Sequence, residues 1–139
     1  MKPPSSDRPR ISQRIIPYLA YSNASKAIEF LGRAFCFEER FRYPMADGRI
    51  GHAEVGFDGN IVMLADFSEG FGTSPLNLPN VHGQVYVYVD DVDAHFARAR
   101  DAGATIAAEP AEQHGVRMYR AIDPEGHRWI FATPTGDGG

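Results

Sequence analysis

The chain has 139 residues, enough for one domain that buries about two-thirds of its unfolded surface. Its net charge of −4, without a cluster of Lys and Arg, argues against a nucleic-acid partner. No apolar run approaches the roughly 18 residues of a membrane span and the N-terminus lacks a signal-peptide core, so we expect a cytoplasmic protein without a membrane partner.

The first half of the sequence predicts a strand, a helix and then three strands. Asn23 is a good N-cap for the helix, which we expect to end near Ala34. Asp58-Gly59 is a strong signal for a two-residue hairpin between the last two strands. The strands are predicted near 14–21, 36–43, 49–57 and 60–66.

The second half predicts the same order of elements. Asp91 caps its helix and Gly103 suits the residue just after the helix. The strands are predicted near 84–89, 105–108, 116–122 and 127–133. The duplication predicts an α+β fold of two βαβββ repeats, each a four-stranded mixed sheet with a helix on its convex face, which together enclose a cavity.

Three other segments lack a helix or strand pattern. Residues 1–13 contain several prolines and predict a flexible N-terminal arm, and the glycine-rich residues 135–139 predict a flexible tail. Residues 67–82 form a linker that is longer than most connections inside a compact domain. The first repeat therefore spans 14–66 and the second spans 83–134.

Alternation along the strands separates a helix side from a cavity side. Val85 and Val87 are expected under the helices, which leaves Gln84, Tyr86 and Tyr88 on the concave face. Large aromatic residues are poor choices for bare solvent, so they predict a shared concavity.

The same alternation assigns the other strands. It places His52 and Glu54 on the concave face of the first repeat, and Arg117 and Tyr119 on that of the second. Arg120 does not fit this assignment. His95 is expected on the exposed side of its helix, and Trp129 under the helices.

Three motifs accompany the duplicated order: Asp47–Glu54 (DGRIGHAE), Val87–Asp93 (VYVDDVD) and Asp123–His127 (DPEGH). Together they resemble the vicinal oxygen chelate superfamily over residues 14–134. That superfamily includes glyoxalase I, extradiol dioxygenases, fosfomycin-modifying enzymes and bleomycin-resistance proteins. The first motif resembles its glyoxalase-like branch.

The resemblance also identifies the positions that carry metal in the enzymes of this superfamily. Those ligands come from the first and last strand of each repeat, and by position they fall on Ile16, Met63, Gln84 and Ile130. A divalent ion typically needs three or more imidazole or carboxylate donors, which these residues do not supply. We therefore expect no metal and no cofactor at the usual site.

A relocated metal site is the alternative. His52 and Glu54 lie two residues apart on one strand, so both side chains can point at one atom. A third donor such as Tyr119 or His114 would still be required. Otherwise the pair forms hydrogen bonds that tune the polarity of the cavity.

Two functions follow, of which binding is favoured over catalysis. The first is a metal-free small-molecule binding protein of the bleomycin-resistance type, a class associated with antibiotic resistance, that sequesters a planar aromatic or heteroaromatic compound of near-neutral or mixed charge. The predicted ligand-binding residues are Ile16, Tyr18, His52, Glu54, Met63, Gln84, Tyr86, Tyr88, Arg117, Tyr119, Arg128 and Ile130.

The alternative is a glyoxalase-type lyase or isomerase, or a dioxygenase, with its site around His52 and Glu54. Glu54 would act as general base beside His52, and Tyr119 would polarise a carbonyl. A third interpretation, in which the cavity is filled by its own side chains and the protein acts through a dimer surface, is also open.

The resemblance implies a homodimer. Each repeat presents an open concave sheet, so two repeats must pair to enclose a cavity. The linker at 67–82 is long enough for that pairing to occur within one chain or between two chains, and relatives in the superfamily do either.

Overall fold

The computed structural model describes residues 13–68, 70, 72–76 and 78–136. The predicted N-terminal arm, apart from Gln13, and most of the predicted tail lie outside these residues. In the described part of the chain, no helix is both long enough and apolar enough to cross a membrane.

In the part of the chain that the structure describes, ten elements follow one another in two copies of the order strand, helix, three strands. Both predicted N-caps are confirmed, because Asn23 Oδ1 accepts from the Lys26 amide at 3.0 Å and Asp91 Oδ1 from the Ala94 amide at 3.1 Å. The elements are β1 (Tyr18–Tyr21), α1 (Ala24–Phe35), β2 (Glu38–Pro44), β3 (Ile50–Phe57), β4 (Asn60–Asp66), β5 (Val85–Tyr88), α2 (Val92–Asp101), β6 (Thr105–Gln113), β7 (Val116–Ile122) and β8 (Arg128–Pro134).

The strands form two four-stranded sheets, one from each repeat, in the orders β1-β4-β3-β2 and β5-β8-β7-β6. The pairs β1–β4 and β5–β8 are parallel and the remaining pairs are antiparallel, so both sheets are mixed. Asp58 and Gly59 turn the β3–β4 hairpin with φ angles of 48° and 82°. The predicted α+β architecture is confirmed.

Two strand bounds differ from the prediction by more than two residues, and proline explains both. Strand β1 begins only at Tyr18, because Pro17 has no amide hydrogen to donate, although its carbonyl accepts from the Met63 amide at 2.9 Å. Strand β6 continues past Ala108 to Gln113, since Pro110 falls in the irregular part of an edge strand.

The helix sides of both sheets meet in a single core. Phe35 of α1 lies 5.5 Å from Trp129 and 4.8 Å from Phe131 of β8, measured between ring centroids. Phe37 lies 5.4 Å from Trp129, which is fully buried as predicted. Helix α1 contacts α2, whereas no described strand of the first sheet pairs with a strand of the second. The repeats are therefore joined through their helix sides.

The turn between β7 and β8 anchors the second repeat to the first. Buried Asp123 accepts from the Tyr21 hydroxyl at 2.6 Å and from Trp129 Nε1 at 3.2 Å. Burial raises the pKa of Tyr21, and the Asp123 carboxylate raises that pKa further. Glu125 accepts from the Asn23 amide at 2.9 Å, at the start of α1. In this chain the DPEGH motif therefore holds the second repeat against the first.

His95 is buried, so its predicted exposure is wrong. Its Nδ1 lies 2.6 Å from the Tyr119 hydroxyl, and its Nε2 lies 3.1 Å from the Phe35 carbonyl oxygen. The periodicity of α2 could not show this, because the cover comes from α1 of the other repeat. Burial lowers the pKa of His95, and the nearby Arg98 charge lowers it further.

We expect acid to destabilise the protein through His95. The pKa of His95 in the folded state lies below its unfolded value of about 6.5. The stabilisation that neutral His95 provides is therefore complete above pH of about 6.5, and it is lost as the pH falls through the folded pKa. His95→Gln should lower the free energy of unfolding at pH 7.5 by about 1–3 kcal/mol, through lost hydrogen bonds. Between pH 7.5 and 5, the free energy of unfolding of His95→Gln, measured by urea titration, should decline less than that of wild type.

The control is His114→Gln, which removes an exposed histidine from the β6–β7 turn and should keep the wild-type pH dependence. Parallel pH profiles for wild type and His95→Gln would contradict the role of His95.

Candidate functional site

The side of each sheet that faces away from the helices forms a cleft face. On the first sheet, Tyr18 pairs with Met63 and Met63 pairs with Glu54, so the three side chains form a row on one side. Phe41 of the edge strand β2 pairs with Glu54 and extends that row. We call the set Tyr18, Phe41, Tyr43, His52, Glu54 and Met63 the first cleft face.

A chain of hydrogen bonds crosses the first cleft face. Tyr18 Oη lies 2.8 Å from His52 Nδ1, and His52 Nε2 lies 3.0 Å from Glu54 Oε2. The rings of Tyr18 and Phe41 flank the imidazole at centroid distances of 5.4 and 6.0 Å. The polar groups therefore have fixed orientations within an aromatic surround, as a pocket that orients a ligand requires.

The second sheet presents a corresponding surface. Tyr86, Ile130 and Arg120 form a row across β5, β8 and β7, because Ile130 pairs with both of the others. The rings of Tyr86 and Tyr88 lie 5.3 Å apart in an edge-to-face arrangement. We call the set Tyr86, Tyr88, Met118, Arg120, Arg128 and Ile130 the second cleft face. Desolvation raises the pKa of Tyr86, and Tyr88 beside it adds to the shift, so Tyr86 is a neutral phenol at pH 7.

Arg117 and Tyr119 point to the opposite side, so their predicted cavity-facing orientation is wrong. Tyr119 is fully buried and pairs with buried Phe131, and burial raises its pKa. Arg117 donates to both carboxylate oxygens of Asp93 in α2, at 2.9 and 3.0 Å. Strand β7 has an arginine on each of its two sides. Arg120, and not Arg117, lies on the side that faces the cleft.

The structure thus gathers the remaining predicted site residues into two groups. Tyr18, His52, Glu54 and Met63 share one cleft face, and Tyr86, Tyr88, Arg128 and Ile130 share the other. Ile16 is half-buried just before β1, and Gln84 borders the second face just before β5. Sequence reasoning missed Phe41, Tyr43, Met118 and Arg120.

A signal for one of these omissions was present. Arg120 disagreed with the assumed alternation of β7, which indicated that the assignment was one residue out of phase. Phe41 and Tyr43 gave no comparable signal, because the register of β2 shifts between Glu39 and Phe41.

An open cavity lies on the second cleft face. Its volume is about 320 Å³, at the lower end of the range for small-molecule pockets. Its lining includes Gln84, Glu109, Met118, Arg120 and Arg128. Apolar and polar groups therefore meet within reach of one small ligand.

The sequence model of the Glyoxalase/Bleomycin resistance protein/Dioxygenase superfamily matches residues 14–131. The chain belongs to this superfamily. It is 34% identical over 129 residues to the uncharacterized protein Mb0911c of Mycobacterium bovis, which covers 89% of this chain and 85% of that protein. It is similarly 34% identical to the uncharacterized protein Rv0887c of Mycobacterium tuberculosis, over 89% of this chain and 76% of that protein.

Solved structures share the fold. TioX from Micromonospora sp. ML1 superposes with a TM-score of 0.72 at 34% identity, over 88% of this chain and 99% of that chain. TnmS3, an antibiotic binding protein from Streptomyces sp. CB03234, superposes with a TM-score of 0.66 at 21% identity, over 90% of this chain and 99% of that chain. The latter likeness establishes the fold alone.

The residues present do not fit the divalent metal of the superfamily's enzymes. Ile16 and Ile130 have no donor atom, and Met63 and Gln84 offer only a thioether and an amide. Within the described residues, no group of three or more His, Cys, Asp or Glu side chains could hold a metal ion. The third donors considered for a site at His52 do not serve, because Tyr119 is buried on the helix side and His114 lies exposed in the β6–β7 turn.

The hydrogen-bond chain predicts the tautomer of His52. A carboxylate only accepts hydrogen bonds, so we expect the proton on Nε2, which leaves Nδ1 to accept from the Tyr18 hydroxyl. Ring ¹⁵N shifts at pH 7.5 should show this tautomer in wild type and a mixture in Glu54→Gln, whose amide can also donate. His127 is an internal reference, because its Nε2 lies 2.7 Å from the Ala20 carbonyl oxygen. A proton on Nδ1 of wild-type His52 would contradict the assignment.

Proposed function

We propose that this protein is a metal-free binding protein of the bleomycin-resistance type, which sequesters a planar aromatic or heteroaromatic compound between two cleft faces. The observation that carries the proposal is a set of aromatic side chains left exposed on those faces. They are Tyr18 (45% exposed), Phe41 (48%), Tyr43 (58%), Tyr86 (44%) and Tyr88 (61%).

These side chains favour a partner that covers them. Exposed apolar surface costs about 25 cal/mol per Å² relative to buried surface, and contiguous exposed patches mark binding sites. The flat rings of Tyr86 and Tyr88 offer stacking area for a planar ligand, while their hydroxyls can stay in contact with water. His52 and Glu54 add fixed polar groups that would orient the ligand.

A closed cleft requires a second copy of the chain. The two helix sides already share the core, and the described strands of the two sheets do not pair with each other. A two-fold homodimer would place the first cleft face of one copy against the second cleft face of the other. It would thereby form two identical clefts.

The relatives support the class of function. The fold is shared with TnmS3, an antibiotic binding protein, so it can accommodate an antibiotic-sized ligand in at least one protein. The cytoplasmic location and the lack of nucleic-acid and membrane partners stay predictions from composition. The glyoxalase-type or dioxygenase alternative loses Tyr119 as the group that would polarise a carbonyl, because that hydroxyl contacts His95 in the core.

Mixing two damaged variants tests the shared cleft. The first combines Tyr18→Ala with Glu54→Ala, and the second combines Tyr86→Ala with Tyr88→Ala. Each alone should bind the neutral probe 2-naphthamide about tenfold more weakly than wild type, as followed by amide chemical shifts, because aromatic and polar contacts are lost. After joint refolding, about a quarter of the clefts should be intact and regain wild-type affinity.

The matched control is Leu76→Ala, which removes an exposed apolar side chain outside both cleft faces and should bind like wild type. A monomeric wild type in light scattering, or dimeric mixtures that recover no binding, would contradict the shared cleft.

Metal content separates binding from the enzymatic alternative. Protein purified without a His-tag should contain far less than one equivalent of nickel, zinc, manganese or iron, since the described residues supply no third donor beside His52 and Glu54. Elemental analysis and metal titration should give the same result for Glu54→Ala. A stoichiometric metal that is lost in Glu54→Ala would instead support a lyase or dioxygenase.

A further inference from the structure

Arg120 and Arg128 are two cations on one cleft face without an acidic partner in the described part of the chain. Arg120 pairs with Ile130, and Arg128 lies two residues before Ile130 on the same side of β8. The two arginines are therefore diagonal neighbours on adjacent strands, with their Cα atoms about 7–8 Å apart. Both line the cavity of about 320 Å³.

Most other described arginines have their charge neutralised or their donors used. Arg33, Arg40, Arg42, Arg100 and Arg117 each form an ion pair with Glu or Asp. Arg98 donates to main-chain carbonyls at the end of α1. Arg128 differs, because its Nε atom is buried and has no hydrogen-bond partner among the residues that the structure describes. A guanidinium group without a protein acceptor keeps its hydrogen-bonding capacity, so Arg128 can bind an anionic group that enters the cavity.

The surroundings of the pair indicate what that acceptor would be attached to. Tyr86 and Ile130 lie in the same row as Arg120, and two strand spacings of about 4.8 Å separate Tyr86 from Arg120. A fused two-ring system resting on Tyr86 and Ile130 would extend over this distance. Its substituent would then reach the guanidinium groups.

We infer that Arg120 and Arg128 bind a carboxylate on the aromatic ligand, so that the protein selects planar aromatic carboxylic acids. Guanidinium groups present parallel N–H donors that match the two oxygens of a carboxylate. This inference rests on the proposed function, and it narrows the ligand from any planar aromatic compound to an acid.

Two acidic groups could oppose this arrangement. Glu109 lines the same cavity from the edge strand β6 but forms no ion pair with either arginine in the described structure. In the proposed dimer, Glu54 of a second copy would lie on the facing wall and could neutralise the arginines itself. The experiment must distinguish a ligand carboxylate from Glu54.

The test compares 2-naphthoate with 2-naphthamide, which have the same rings and differ in charge. We expect wild type to bind the acid at least about tenfold more tightly than the amide, by calorimetry or amide chemical shifts. Arg120→Gln and Arg128→Gln should each lose most of that preference, because each removes a guanidinium group that would pair with the carboxylate. Arg117→Gln removes an equal charge from the opposite side of β7 and should keep the preference.

Each of the other outcomes overturns a specific part of the inference or of the proposed function. Equal affinity of wild type for both compounds would overturn the carboxylate site and leave the aromatic cleft standing. A preference for the acid that appears only in Glu54→Gln would show that Glu54 occupies the arginines. If neither compound perturbs residues of the cleft faces, the carboxylate site and the proposed aromatic cleft both fail.

Discussion

The contact of Phe35 with Trp129 and Phe131 is the constraint on which the rest of the structure depends. It joins the helix sides of the two sheets in one core, so each sheet has only its other side left for a ligand. Close packing leaves no space for a ligand within such a core. The cleft faces consequently point away from the core, and their tyrosines are exposed.

Membership of the superfamily determines the scaffold but not the chemistry of this chain. The positions predicted to correspond to the superfamily's metal ligands carry Ile16, Met63, Gln84 and Ile130. The DPEGH turn holds the two repeats together through Asp123 and Glu125. A fold can keep its shape while its site is rebuilt, because packing and site chemistry involve different residues. In this chain the charged side chains of the two cleft faces, Glu54, Arg120 and Arg128, lie on β3, β7 and β8.

The two cleft faces differ in charge, which gives the proposed dimer a physical rationale. The first face carries Glu54, held by His52, and the second carries Arg120 and Arg128. Faces of opposite charge attract one another and also fix how a ligand of mixed charge would lie between them. Two first faces opposed to each other would instead bring like charges together.

Local sequence by itself determined the elements, both helix caps, the Asp58-Gly59 hairpin and the orientation of His52, Glu54, Tyr86 and Tyr88. These features depend on neighbours a few residues away, whose spacing and turn chemistry the sequence displays directly.

Only the tertiary structure decided the phase of β7 and the burial of His95. Strand β7 has apolar and basic residues at both parities, so its orientation depends on pairing with β8 and on packing against the helices. His95 is buried by Phe35, which lies 60 positions away in the other repeat. Contacts at that separation leave no periodic trace in either segment, so they arise only once the two repeats pack together.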